Sequence, residues 1–146
     1  MTPPKGRTIF LAPRSTMSIQ LNHTIVSARD PQASAAFLAE ILGRAAPVIF
    51  GPFHGVELDN GVTLDFLRDE GDFHVEHYAF LVSEDEFDQI FGRIRESGLA
   101  YWADPGQQHP GTINHNDGGR GVYWDDPNGH RLEILTRPYG SGGSGG

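Results

Sequence analysis

Cysteine is absent from the chain, and lysine occurs only once, at Lys5. Without thiols there is no disulfide framework, no thiolate nucleophile and no thiolate metal ligand. Any bound metal must be held by nitrogen and oxygen. Basic residues are scarce: 11 Lys and Arg stand against 19 Asp and Glu, a formal charge of −8. No basic stripe is visible, so a nucleic-acid partner is not expected. Long apolar runs are missing too, the longest being a few residues against the ~20 that span a bilayer. The N-terminus shows no apolar stretch with a small-residue cleavage site. No membrane association is expected, and the chain reads as cytoplasmic.

What is present is the composition of one domain of common size, 146 residues with 38% apolar content. Residues 1–17 read as a flexible N-terminal tail and residues 140–146 as a Gly/Ser-rich tail, with a single domain over 18–139. Two helices are signalled. Asp30 is suited to an N-cap and Pro31 to the first helical position. Phe37, Leu38, Ile41 and Leu42 follow as an apolar stripe, and Gly43 suits a left-handed end. Ser83 with Glu86 forms a capping box ahead of Phe87, Ile90, Phe91 and Ile94, and Gly98 ends that run.

Strands are expected over about 20–28, 48–50, 56–58, 62–67, 74–82, 100–103, 121–124 and 131–136. Asp59-Asn60-Gly61 and Asp126-Pro127-Asn128-Gly129 are turn signals. The order is strand, helix, three strands, stated twice, with modules over about 18–70 and 72–137. The second module carries a long Gly-, Pro-, Asn- and His-rich loop at 104–119, of a length often found to be functional.

Alternation within the strands singles out four polar residues. Asp65 opposes Leu64 and Phe66, His77 opposes Phe80 and Val82, and Glu133 opposes Leu132 and Ile134. His23 opposes Thr24 and Val26. Each half therefore supplies one histidine early and one carboxylate late, and a twofold arrangement would bring the pairs together. Two imidazoles and two carboxylates suit a divalent metal of borderline hardness. Fe²⁺, Mn²⁺, Ni²⁺ and Zn²⁺ all remain open. For Glu133 the alternative is a salt bridge with Arg120 or Arg131. His130, after the turn glycine, reads as a turn hydrogen-bonder. His109, Asn114, His115 and Arg120 cluster in the long loop, where they would be placed to contact a substrate.

The motifs LNHTIV, HYAFLVSEDEFDQI and GVYWDDPNGHRLEIL resemble those of the vicinal oxygen chelate superfamily. That group includes glyoxalase I, extradiol dioxygenases, fosfomycin-resistance transferases and bleomycin-resistance proteins. The resemblance implies an α+β fold in which two βαβββ modules form a curled mixed sheet around a metal-binding cup, with helices outside. It implies His23, His77 and Glu133 as ligands of one divalent metal ion. Asp65 falls where glyoxalase I carries a glutamate that is one methylene longer, and its role as ligand, base or hydrogen-bond acceptor stays open. Tyr123 matches a substrate-contacting tyrosine of fosfomycin-resistance transferases, so Asp65 and Tyr123 are the implied catalytic candidates. Their phosphonate-binding arginine has no counterpart, since Gly and Ser fill that region.

A homodimer is implied by the same likeness. If modules pair across chains, His77 is expected from the partner of the chain supplying His23 and Glu133. The function implied is a metal-dependent enzyme of the glyoxalase/dioxygenase type, acting as a lyase, isomerase or dioxygenase on a small molecule with vicinal oxygens. The alternatives are an extradiol ring-cleaving dioxygenase and a drug- or metabolite-binding protein that uses no metal.

Overall fold

The computed structural model describes residues 18–142; both terminal tails fall wholly or partly outside that range. The first module is built from β1 (His23–Ala28), α1 (Pro31–Leu42), β2 (Val48–Phe50), β3 (Phe53–Glu57) and β4 (Thr63–Arg68). The second comprises β5 (His77–Leu81), α2 (Glu84–Glu96), β6 (Gly121–Asp125) and β7 (Arg131–Leu135). A 3₁₀ turn lies at Asn116–Gly118. Among the described residues no helix is long and apolar enough to cross a membrane.

Local chemistry fixes the helix ends as the sequence suggests. The Asp30 carboxylate accepts the Ala33 N–H at 3.1 Å, and Gly43 closes α1 in the left-handed region at φ 71°. Ser83 and Glu86 exchange both bonds of the capping box, at 3.1 and 2.8 Å. The buried face of α1 is Ser34, Ala35, Leu38, Ala39 and Ile41, so Phe37 and Leu42 sit at its margin. Small side chains let this helix lie close to its sheet. The buried stripe of α2 is Phe87, Ile90 and Ile94.

The strands form two mixed sheets, ordered β1-β4-β3-β2 and β5-β7-β6. In each, the module's first strand runs parallel to its last, and the remaining pairs are antiparallel. The expected strand over 100–103 is reduced to isolated bridges at Trp102, which exchanges both backbone bonds with Tyr123 at 2.9 Å and bridges Pro110 as well. Beyond it the chain turns at once, with Ala103 N–H bonded to the His109 carbonyl at 3.0 Å. Pro105 and Pro110, which have no N–H to give a ladder, bracket that turn. Trp102 thus holds the place that β2 holds in the first sheet.

The register repeats residue for residue. His23 pairs with Thr63 and Ile25 with Asp65, while His77 pairs with Arg131 and Ala79 with Glu133. On the third strand of each set, Gly55 pairs with Asp65 and Tyr123 with Glu133. The opposite faces supply Val26, Leu64, Phe66, Phe80, Val122, Trp124, Leu132 and Ile134 to one core shared by both modules and helices.

The two modules are latched by the turn between β6 and β7. The Glu76 N–H donates to His130 Nδ1 at 2.9 Å, so the ring proton lies on Nε2, which donates to the Ser27 carbonyl at 2.8 Å. Asn128 accepts the Arg29 N–H and donates to Ser34 Oγ, both at 2.9 Å. His130 is 1% exposed. It therefore does more than bond within its turn: it ties the second module to β1.

Candidate metal centre

The second module gathers a histidine, a carboxylate and two phenols on one face. β5 and β7 are parallel neighbours, so His77 and Glu133 emerge side by side from adjacent strands. Glu133 is 1% exposed. A buried carboxylate is costly unless its oxygens find partners. Its Oε1 lies 3.1 Å from His77 Nε2, and its Oε2 accepts the Tyr139 hydroxyl. Neither expected salt bridge to Glu133 forms. Arg131 pairs with Asp125 at 2.8 Å, and Arg120 pairs with Glu84 and Asp88 on α2 while lying over the Phe87 ring.

The other nitrogen of His77, Nδ1, lies 3.0 Å from the Arg131 carbonyl. A carbonyl only accepts, so Nδ1 carries a proton. In the neutral ring, Nε2 then turns a lone pair toward a carboxylate oxygen. Two electron-rich atoms at that distance need a cation between them, either a proton or a metal ion. Anchorage of one ring N–H on a backbone carbonyl is also how metal-ligating imidazoles are oriented. This donor pair fits a divalent cation of borderline hardness on chemical grounds.

Tyr123 lines the same face. Its ring lies alongside His77, with centroids 5.9 Å apart and planes 24° apart, and its hydroxyl is 2.8 Å from that of Tyr139. Burial raises the Tyr123 phenol above its ordinary range. Burial, and then the bond to Glu133, push Tyr139 higher still. Both therefore stand as neutral hydroxyls at physiological pH.

The first module presents the other half of the set. Asn22, His23, Ile25, Val48, Phe50, Phe53, Gly55 and Asp65 are among the residues lining an open concavity of about 350 Å³ on the outer face of its sheet. His23 is exposed, with Nδ1 2.8 Å from Asn22 Oδ1. Among the described residues nothing hydrogen-bonds the Asp65 carboxylate. Opposite it stands Gly55, where an added Cβ would lie 2.8 Å from Asp65 Oδ1. The twofold counterpart of Gly55 is Tyr123, so one carboxylate is roofed and the other is open.

The structure thus brings the four sequence-singled residues together in pairs. His23 and Asp65 share one sheet, and His77 and Glu133 share the other. Among the described residues no three His, Asp or Glu side chains stand close enough to hold one cation. The expectation that His77 comes from a different chain than Glu133 is corrected: the β5–β7 register places both in one sheet of one chain. In the long loop, Asn114 Nδ2 bonds the Ala103 carbonyl at 2.8 Å and Arg120 pairs with Glu84 of α2, so these two residues brace the loop. Trp124 is fully buried core. Tyr139 went unread in the sequence. Its signal is a lone aromatic four residues past the end of the final strand, ahead of a Gly/Ser run.

Comparisons with known proteins agree with this architecture. The solved structure titled Oxidase ChaP-H2 is 67% identical and superposes with a TM-score of 0.84, covering 87% of this chain and 100% of its own. Oxidase ChaP-H1 is 66% identical, with a TM-score of 0.82 over 84% of this chain and 99% of its own. Metallothiol transferase FosB of Lysinibacillus sphaericus (strain C3-41) is 28% identical over 126 residues, 82% of this chain and 84% of that protein. The model of the Glyoxalase/Bleomycin resistance protein/Dioxygenase superfamily matches residues 20–134. With the two-module fold and the twofold-related His and carboxylate pairs, this match places the chain in that superfamily.

Proposed function

We propose that the protein is a metal-dependent enzyme that oxidises a small molecule bearing adjacent oxygens, working as a homodimer with two shared sites. In each site His77 and Glu133 of one protomer would hold the cation together with His23 of the second. The observation that carries this reading is the aim of His77 Nε2 at Glu133 Oε1 while Nδ1 is anchored on the Arg131 carbonyl. Superfamily membership and the metallothiol transferase relative support a metal-dependent enzyme acting on small molecules. The two relatives titled oxidases, at 66–67% identity, favour oxidation over isomerase or lyase chemistry.

Sharing between protomers is supported by what each chain leaves uncovered. Ile25, Val48 and Phe50 line the first sheet's concavity at 44%, 57% and 76% exposure, and Leu81 on the second sheet's face is 62% exposed. Apolar side chains so placed favour burial against a matching surface. A twofold interface would set the first sheet of one protomer against the second sheet of the other, twice.

When bound, Fe²⁺ or Mn²⁺ would supply Lewis acidity toward two adjacent substrate oxygens and, with an oxidant, redox chemistry. The chain's own residues do the rest. The apolar wall of Ile25, Val48, Phe50 and Phe53 excludes water and holds an aromatic or aliphatic body. Asp65, open above Gly55, is placed to accept a proton from a substrate hydroxyl, a contribution of ~10²–10⁴-fold. Tyr123 keeps its proton and lines the site beside His77. Metal content of wild type, His77→Ala and Glu133→Ala, with oxygen uptake in the presence of catechols, tests the reading. Loss of metal in both variants and uptake only in wild type are expected. Equal metal content in all three would overturn it.

A further inference from the structure

Beyond β7 the chain folds back as a strap. The Gly140 and Gly142 N–H groups donate to Asp117 Oδ1 at 3.0 and 3.3 Å. Ser141 closes a turn by donating both its N–H and its hydroxyl to the Pro138 carbonyl, at 3.1 and 2.6 Å. Asp117 is buried, and its backbone is left-handed at φ 57°. Gly140 is left-handed as well, at φ 82°. Just ahead of these anchors Tyr139 turns toward the site: the residue is 58% exposed while its hydroxyl meets the buried Glu133 carboxylate. Apolar burial does not hold a ring so exposed. Its strap and its hydroxyl bonds do.

The direction of those bonds follows from counting protons. Tyr139 has one hydroxyl proton, and Glu133 as a carboxylate can only accept, so that proton goes to Glu133 Oε2. Tyr123 then donates its own proton to the Tyr139 oxygen at 2.8 Å. The chain Tyr123, Tyr139, Glu133 runs one way, each bond strengthening the next. A carboxylate left alone rotates broadly about its last torsion. With Oε2 held, Oε1 stays turned toward His77.

We propose that Tyr139, held by the Asp117-anchored strap, is a positioning residue that fixes the Glu133 carboxylate for cation binding. This rests on the reading that His77 and Glu133 hold a divalent metal. Groups that bond to ligating carboxylates typically govern metal affinity ~10–100-fold.

The test is competitive titration of Mn²⁺ and Zn²⁺ into the full chain for wild type, Tyr139→Phe and His77→Ala, with thermal melts of each metal-free form. The phenylalanine variant keeps the exposed ring and loses only the hydroxyl. Its affinity is expected to fall about tenfold or more, while a cooperative melt shows that the variant stays folded. Wild type that binds metal, His77→Ala that does not, and Tyr139→Phe within twofold of wild type would overturn the role of Tyr139 alone. Wild type and His77→Ala with equal affinity would overturn the metal reading itself, and this inference with it.

Discussion

Replacing His130 by Phe keeps an aromatic ring in place but removes both nitrogens that latch the modules. In the native chain these nitrogens accept from the Glu76 N–H at 2.9 Å and donate to the Ser27 carbonyl at 2.8 Å, at a site 1% exposed. The variant leaves one backbone donor and one acceptor without a partner, each costing about 1–3 kcal/mol when buried. The ring itself stays near Phe73 and Tyr78, whose centroids lie 5.7 and 6.2 Å away, so little packing is lost. The expected loss is therefore about 2–6 kcal/mol, which for a domain of this size lowers Tm by roughly 6–24 °C. Urea unfolding followed by tryptophan fluorescence reads it, because Trp124 lies in the shared core. The midpoint should fall with the slope unchanged. A loss below about 0.5 kcal/mol, the scatter of surface substitutions, would refute the latch.

Two further outcomes follow from the same geometry. Gly55→Ala would place a Cβ 2.8 Å from Asp65 Oδ1 and 3.0 Å from Thr63 Cγ2; about 1–3 kcal/mol of stability should be lost, and turnover should fall while metal affinity holds, measured by urea unfolding and metal titration. The Asp104 carboxylate is held below its ordinary value of 3.8, first by the Gln108 N–H and then by that of His109. A lowered carboxylate pKa contributes stability that is present above the ordinary value and lost as pH falls through the folded one. Amide exchange at Gln108 and His109 should therefore quicken as pH drops below 3.8, relative to amides of the core strands, and should not do so in Asp104→Asn.

Much of this architecture was legible because its signals are local. Asp30 and Ser83 mark helix starts by chemistry that acts within three residues. Alternation placed Asp65, His77 and Glu133 opposite the core, since a strand's two faces are set by neighbours in the chain. The repeat emerged from histidines and carboxylates in matching order, and the paired registers of β1–β4 and β5–β7 bear it out. What was not legible is non-local. Alternation says which face a side chain takes, not which sheet that face meets. Hence module pairing across chains would part His77 from Glu133, whereas a parallel ladder sets the two side by side. Trp102 carries strand-forming neighbours, yet its pairing ends in isolated bridges to Tyr123 and Pro110. His130 and Tyr139 find their partners in distant strands, and no period in the sequence announces either bond.

The shared site is tested most directly by mixing two defective chains. His23→Ala and Glu133→Ala each spoil both sites of their own homodimer. In a mixed dimer one site would combine both defects and the other would draw intact His23 and intact Glu133 from opposite protomers. After unfolding and refolding an equimolar mixture, half of the dimers are mixed, so about a quarter of wild-type metal binding should return. If each chain built its own site, the mixture would bind no more than either variant alone.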